Sequence, residues 1–200
     1  KVTDWGVWPT SESWTWSGHE GKPIEVEVCS RYPRVRLFLN DSLVDERPAG
    51  YVQQFKAVFT LPYQAGTLRA VGVDENGIEQ ETVVLKTSGT PVSLRLTTQD
   101  QTIKADGQDL AFVIIEVVDK NGNVVPETSL PVKIECTGKG TVIAGGNAAY
   151  ADMESFRSLT PNTFRGKAIA IVQPDGEKGD IQVKVSAKGL EDASIVITAY

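Results

Sequence analysis

Residues 24–28 read Ile24-Glu25-Val26-Glu27-Val28, and residues 35–39 read Val35-Arg36-Leu37-Phe38-Leu39. The first stretch alternates apolar and charged side chains strictly. The second places Val35, Leu37 and Leu39 on one face. Successive strand residues point to opposite faces of a sheet, so a period of two is the mark of a strand with one face in a core. Asn40-Asp41-Ser42 follows as a turn, because short polar side chains hydrogen-bond their own backbone there. Working outward, residues 55–61, 67–73 and 81–86 read as further strands. Asp74-Glu75-Asn76-Gly77 is the tight turn between the last two, since Asn-Gly supplies the positive φ angles of a two-residue hairpin.

The small, polar stretch Thr87-Ser88-Gly89-Thr90-Pro91 marks a boundary. Beyond it strands restart at 92–97, 110–118, 130–136, 141–144, 167–172, 180–187 and 193–199, with a second Asn-Gly turn at Asp119-Lys120-Asn121-Gly122-Asn123. Seven short strands separated by turns fit an immunoglobulin-like sandwich. The expectation is an all-β chain of two immunoglobulin-like β-sandwich domains in tandem, residues 1–89 and 90–200. No stretch carries a helical period, and residues 153–159 have room for one turn at most.

Bulk composition excludes several function classes. The 200 residues carry a net charge of −6. Up to Gly89 there are nine basic and twelve acidic residues, and beyond it eleven and fourteen, a net −3 in each part. With no basic half to neutralise phosphates, nucleic acid and anionic membrane are excluded as expected partners. No apolar run reaches membrane-spanning length. The two cysteines, Cys29 and Cys136, are far apart and have no metal-ligand spacing around them, so both are expected to be buried thiols and no cofactor or metal is expected. The chain begins at Lys1 without a leader, which suggests a piece of a longer protein.

Catalytic patterns are weak. His19 is the single histidine and lies in Ser17-Gly18-His19-Glu20-Gly21, without a nucleophile motif beside it, so it reads as a local loop residue. Carboxylates are plentiful, but a glycosidase pair needs a rigid cleft. The barrel that often supplies one takes roughly 250 residues. Asp119-Lys120-Asn121-Gly122-Asn123 opens like a calcium loop, but its glycine falls too early and Leu130 stands where the closing glutamate belongs. Gly145-Gly146-Asn147 has no following helix to make a phosphate cradle. Asn40-Asp41-Ser42 also matches a glycosylation triplet.

All four tryptophans lie near one end, at Trp5, Trp8, Trp14 and Trp16. In an extended segment Trp14 and Trp16 share a side at about 6.6 Å. Each indole hides a large apolar area and keeps one N–H for a partner. Trp14, Trp16 and Trp8 are therefore the candidate site residues, for docking onto a neighbouring domain or for stacking on a sugar. The remaining reading places them in the core of the first sandwich. Tyr32 and Tyr51 are additional stacking candidates.

Trp14-Thr15-Trp16-Ser17-Gly18-His19-Glu20-Gly21-Lys22, the alternating strand to Ser30, and Val35-Arg36-Leu37-Phe38-Leu39-Asn40 together resemble the segment after the catalytic barrel in bacterial glycoside hydrolase family 2 enzymes of the β-galactosidase-like kind. Gly66-Thr67-Leu68-Arg69-Ala70 resembles that family's next strand. Ala105-Asp106-Gly107-Gln108-Asp109, Asp119-Lys120-Asn121-Gly122 and Gly145-Gly146-Asn147 resemble its terminal immunoglobulin-like domain, with Asn147-Ala148-Ala149 where the family has Asn-Gly-Asp.

The resemblance implies non-catalytic, accessory domains of a secreted or periplasmic glycosidase. It implies that the catalytic glutamates and the barrel lie outside this chain, and that the tryptophans dock on that barrel. An isolated fragment would then tend to self-associate. The alternatives are a carbohydrate-binding module using Trp14 and Trp16, and an immunoglobulin-like stalk segment of an adhesin.

Overall fold

The computed structural model describes residues 10–200. Trp5 and Trp8 lie outside the described residues. The chain divides into two compact units, one ending at Thr87 and the other beginning at Ser88. Both are all-β, and the regular helix of the described residues is a single 3₁₀ turn at Tyr51–Gln53.

In the first unit β1 (Pro23–Cys29) pairs antiparallel with β4 (Lys56–Pro62) to form a two-stranded sheet. The facing sheet has the order β3-β2-β5-β6, from β2 (Arg34–Leu39), β3 (Ser42–Pro48), β5 (Thr67–Val73) and β6 (Glu79–Lys86). Between the sheets lie Val35, Leu37, Ala57, Phe59, Leu61 and Leu68. The period-two face expected on β2 is the one that is buried. Each such side chain contributes about 1.5–3 kcal/mol by leaving water.

The second unit is a sandwich of two four-stranded sheets, ordered β11-β12-β9-β7 and β10-β13-β14-β8. Its strands are β7 (Pro91–Thr98), β8 (Thr102–Ile103), β9 (Ala111–Asp119), β10 (Lys133–Gly138), β11 (Gly140–Gly146), β12 (Lys167–Pro174), β13 (Gly179–Ser186) and β14 (Ala193–Ala199). Val113, Ile115 and Val117 of β9 meet Ile181, Val183 and Val185 of β13 in one fully buried cluster. Among the described strands, all ladders are antiparallel except β8 with β14.

The two Asn-Gly turns share one construction. Asp74 Oδ1 accepts the N–H groups of Asn76 and Ile78, each at 2.9 Å. Asp119 Oδ1 accepts those of Asn121 and Asn123 at 2.8 and 2.9 Å. Gly77 and Gly122 take the left-handed φ of 83° and 78°. The second loop is thus a turn organised by its own aspartate.

Asp119 is buried, and its other oxygen accepts the Gly89 N–H at 2.7 Å and Asn123 Nδ2 at 3.1 Å. Burial pushes its carboxyl up, but these bonds, led by that of Gly89, outweigh burial and hold it at about 2.

Five sequence expectations need correction. Ser42–Pro48 is a strand, and so is Thr102–Ile103. Phe55 is not in a strand: it has φ 60° and the strand begins at Lys56. Cys29 is exposed, because period two puts it on the outer face of β1 with Glu25 and Glu27. Cys136 is half-buried, and burial pushes its thiol up.

Candidate functional site, an open groove in the first unit

The first sandwich is closed on one side and open on the other. On the β3–β4 side Arg47 bridges the sheets. Its guanidinium donates to the Val58 carbonyl and lies 5.3 Å from the Phe59 ring centroid. On the other side, among the described residues, β1 is paired only by β4, and β6 only by β5. Two strand edges and the apolar space between them are left without cover by the described residues.

The result is a groove of about 810 Å³ lined by Trp16, Val26, Val28, Leu68, Val83 and Leu85, among others. That volume lies in the range of ligand and peptide clefts. Val26 and Val28 face inward by alternation yet are only half-buried, and Val83 is 58% exposed. The described chain reaches the groove directly, since Thr10, Ser11, Glu12 and Ser13 line it.

Of the two described tryptophans, Trp14 lies in the core bordering the groove and Trp16 forms part of the groove wall. Trp14 is 1% exposed and is the largest fully buried side chain. Its Nε1 donates to the Gln64 carbonyl at 3.0 Å, and its ring meets Tyr63 edge-on at 5.2 Å. The Trp14 carbonyl accepts the Thr87 hydroxyl at 2.6 Å. Neither face of this indole is open to a sugar. Trp16 is half-buried, packs against the same core and lines the groove. Its backbone N–H donates to Tyr63 Oη at 3.2 Å, and its Nε1 to the Ser13 carbonyl at 3.3 Å.

The other singled-out residues are dispersed. His19 is exposed and its Nδ1 lies 3.2 Å from the Ser17 carbonyl oxygen, a local loop contact. The ring of Tyr32 packs against β5, where a Cβ on Gly72 would come within 2.3 Å of it. Tyr51 is 84% exposed, at the far end of the loop between β3 and β4. Asn40 of the glycosylation triplet uses its side chain internally: Oδ1 accepts the Thr67 N–H at 2.9 Å and Nδ2 donates to the Ala65 carbonyl at 3.2 Å.

Glu116 is buried between Arg95 and Lys167, at 2.8 and 3.1 Å. Burial pushes its carboxyl up, but the Arg95 and Lys167 contacts outweigh burial and lower it, so it stays an ionised member of a cross-strand ion cluster. Among the described residues no group of three or more His, Cys, Asp or Glu is placed to hold a metal ion, and no helix is long and apolar enough to cross a membrane.

Two sandwiches, one with an apolar groove left open by the described residues, suit a binding or supporting module. The comparisons place that module. The model of the glycoside hydrolase family 2 C-terminal domain 5 matches residues 94–196, more than half of the chain, and the chain belongs to glycoside hydrolase family 2. A model for a domain of unknown function, DUF4982, matches residues 21–81.

Beta-galactosidase BoGH2A of Bacteroides ovatus is 26% identical over 93% of this chain and 22% of its own length. A beta-galactosidase of Thermoanaerobacter pseudethanolicus is 36% identical over 81% of this chain and 24% of its own. The crystal structure of a family 2 member from Bacteroides cellulosilyticus superposes with a TM-score of 0.89 at 32% identity, covering 99% of this chain and 26% of that one. The chain therefore spans about a fifth to a quarter of the length of these relatives.

Proposed function

We propose that this chain is the non-catalytic C-terminal part of a β-galactosidase-like enzyme. In this reading its two immunoglobulin-like units brace and space a catalytic barrel carried elsewhere on the same polypeptide. The observation that carries the proposal is the coverage. Most of this chain, 93% and 81%, matches these relatives, while only 22% and 24% of those relatives match it. The part left over has room for a barrel of roughly 250 residues and for the two carboxylates that glycoside hydrolysis requires. Secretion or periplasmic residence goes with the same reading.

The groove is the proposed dock, and its occupant an apolar segment of the same polypeptide. Two unpaired strand edges flank an apolar floor, the geometry into which an extended segment fits by strand addition. The chain itself runs into this opening at 10–13. Trp16 is its aromatic wall, and Trp14 fixes that wall to the core beneath it.

Deleting this chain from the full-length enzyme tests the bracing role. The expected result is a lower unfolding temperature for the remaining catalytic part. An unchanged midpoint would overturn the role. Calorimetry with galactosides tests the competing carbohydrate-binding role, which requires a measurable heat that disappears in Trp16→Ala.

A further inference from the structure

The connection from β11 to β12, residues 147–166, is long and carries no regular element. Loops of more than about 12–15 residues without secondary structure are uncommon in compact domains and are usually functional. This one is fastened rather than loose. Gly145 N–H donates to the Phe156 carbonyl at 2.7 Å, Ile134 N–H to Leu159 at 2.8 Å, and Val132 N–H to Pro161 at 3.0 Å. The glycine pair makes the first of these contacts possible. A Cβ on Gly145 would stand 2.8 Å from the Ser158 carbonyl, and one on Gly146 would stand 2.8 Å from the Phe156 ring.

The polarity of the loop is inverted. Its polar side chains bond to the loop itself: Asn147 Nδ2 to Asp152 at 2.6 Å and to the Asn162 carbonyl at 3.0 Å, and Asn162 Nδ2 to Glu154 at 2.8 Å. Asp152 also accepts the Glu154 N–H at 2.9 Å. The large apolar side chains stand outside. Tyr150 is 99% exposed, Met153 95%, Phe156 70% and Leu159 45%. They recur at every third position. Single exposed apolar residues are ordinary, but four on one fastened loop are not. Aromatic residues and Met are also the types enriched where proteins bind one another.

We propose that this loop is a docking knob that inserts Tyr150, Met153 and Phe156 into an apolar depression on the catalytic portion of the same polypeptide. The inference rests on the accessory-domain reading for the existence of that portion. Tethering selects it over a second copy, because a covalently linked partner is present at an effective concentration on the order of millimolar. The loop's charged residues, Asp152, Glu154, Arg157 and Arg165, balance to zero and give it no basic character with which to prefer an anionic membrane.

The test uses the full-length protein with a benzophenone amino acid in place of Tyr150 or Phe156, irradiated and mapped by mass spectrometry. A control carries the same group at Phe112, exposed on β9. Cross-links from the loop positions to peptides upstream of this chain, within one molecule and at least fivefold above the control, are expected. Cross-links only between molecules, or none above the control, would overturn the proposal.

A second measurement follows limited proteolysis between the catalytic portion and this chain. Tyr150→Ser with Phe156→Ser should accelerate that cleavage at least fivefold while leaving the circular dichroism spectrum unchanged, and an unchanged rate counts against docking. If the full-length protein cleaves no β-glycoside yet forms the cross-links, the enzyme reading fails and the docking stands. If it is active and the cross-links are absent, the reverse holds.

Discussion

Trp14 has more to lose than any other side chain of the first unit. It is the largest one fully buried, and it ties 14–16 to Gln64, Tyr63 and Thr87. Trp14→Ala should cost about 3–5 kcal/mol, the usual range for deleting a buried aromatic side chain. A denaturant melt measures it, and a loss under 1 kcal/mol would mean that the indole is not core.

Gly66 is constrained differently. At φ 139° an added Cβ would lie 1.8 Å from Asn40 Oδ1. Gly66→Ala should therefore destabilise by about 1–3 kcal/mol through backbone strain and loss of the Asn40 bridge.

Asp119 sets a pH dependence. Its folded carboxyl titrates at about 2, against about 3.9 in an unfolded chain. A lowered folded value contributes stability that is fully present above about pH 4 and is lost as pH falls toward 2. Asp119→Ala should remove that acid-sensitive share and cost about 1–3 kcal/mol by orphaning the N–H groups it accepts. Equal acid slopes in wild type and variant would contradict this.

Among the elements, β1 and β6 are the exposed flank. An unpaired edge beside an apolar floor is a template for another strand. The chain taken without the rest of its polypeptide should self-associate with concentration in sedimentation experiments, and Val83→Lys should shift it toward monomer. A strict monomer at millimolar concentration would show that the groove is not adhesive.

How far the elements were legible follows from what each one buries. Strands with one face in a core announced themselves, as did the Asp-x-Asn-Gly turns, whose chemistry is local. β3 did not, because its outer face is charge and not pattern: Glu46 pairs with Arg34 and Arg36 of β2 at 3.2 and 2.6 Å. β8 is two residues long and exists by parallel pairing to β14, a partner that local sequence does not name. Phe55 carries a good strand side chain on a left-handed backbone, so propensity misplaced it. The loop at 147–166 hid its apolar residues in a period of three, which matches neither strand nor helix. The Trp-x-Trp spacing did not say which indole is buried: only three-dimensional packing puts Trp14 in the core and Trp16 half-buried on the groove.

At the level of the complete chain, the described residues form two all-β units with separate cores. What they offer is shape: a groove in the first unit and a knob on the second. This is what a supporting module needs, and it accords with a chain that covers most of itself but only 22% and 24% of its relatives in each alignment.

The account is tested most directly by assaying the chain 1–200 and the full-length protein side by side on a chromogenic β-galactoside. The full-length protein is predicted to turn over and the chain alone to show no rate above buffer. Hydrolysis by the chain alone, abolished by replacing one of its own carboxylates, would contradict it.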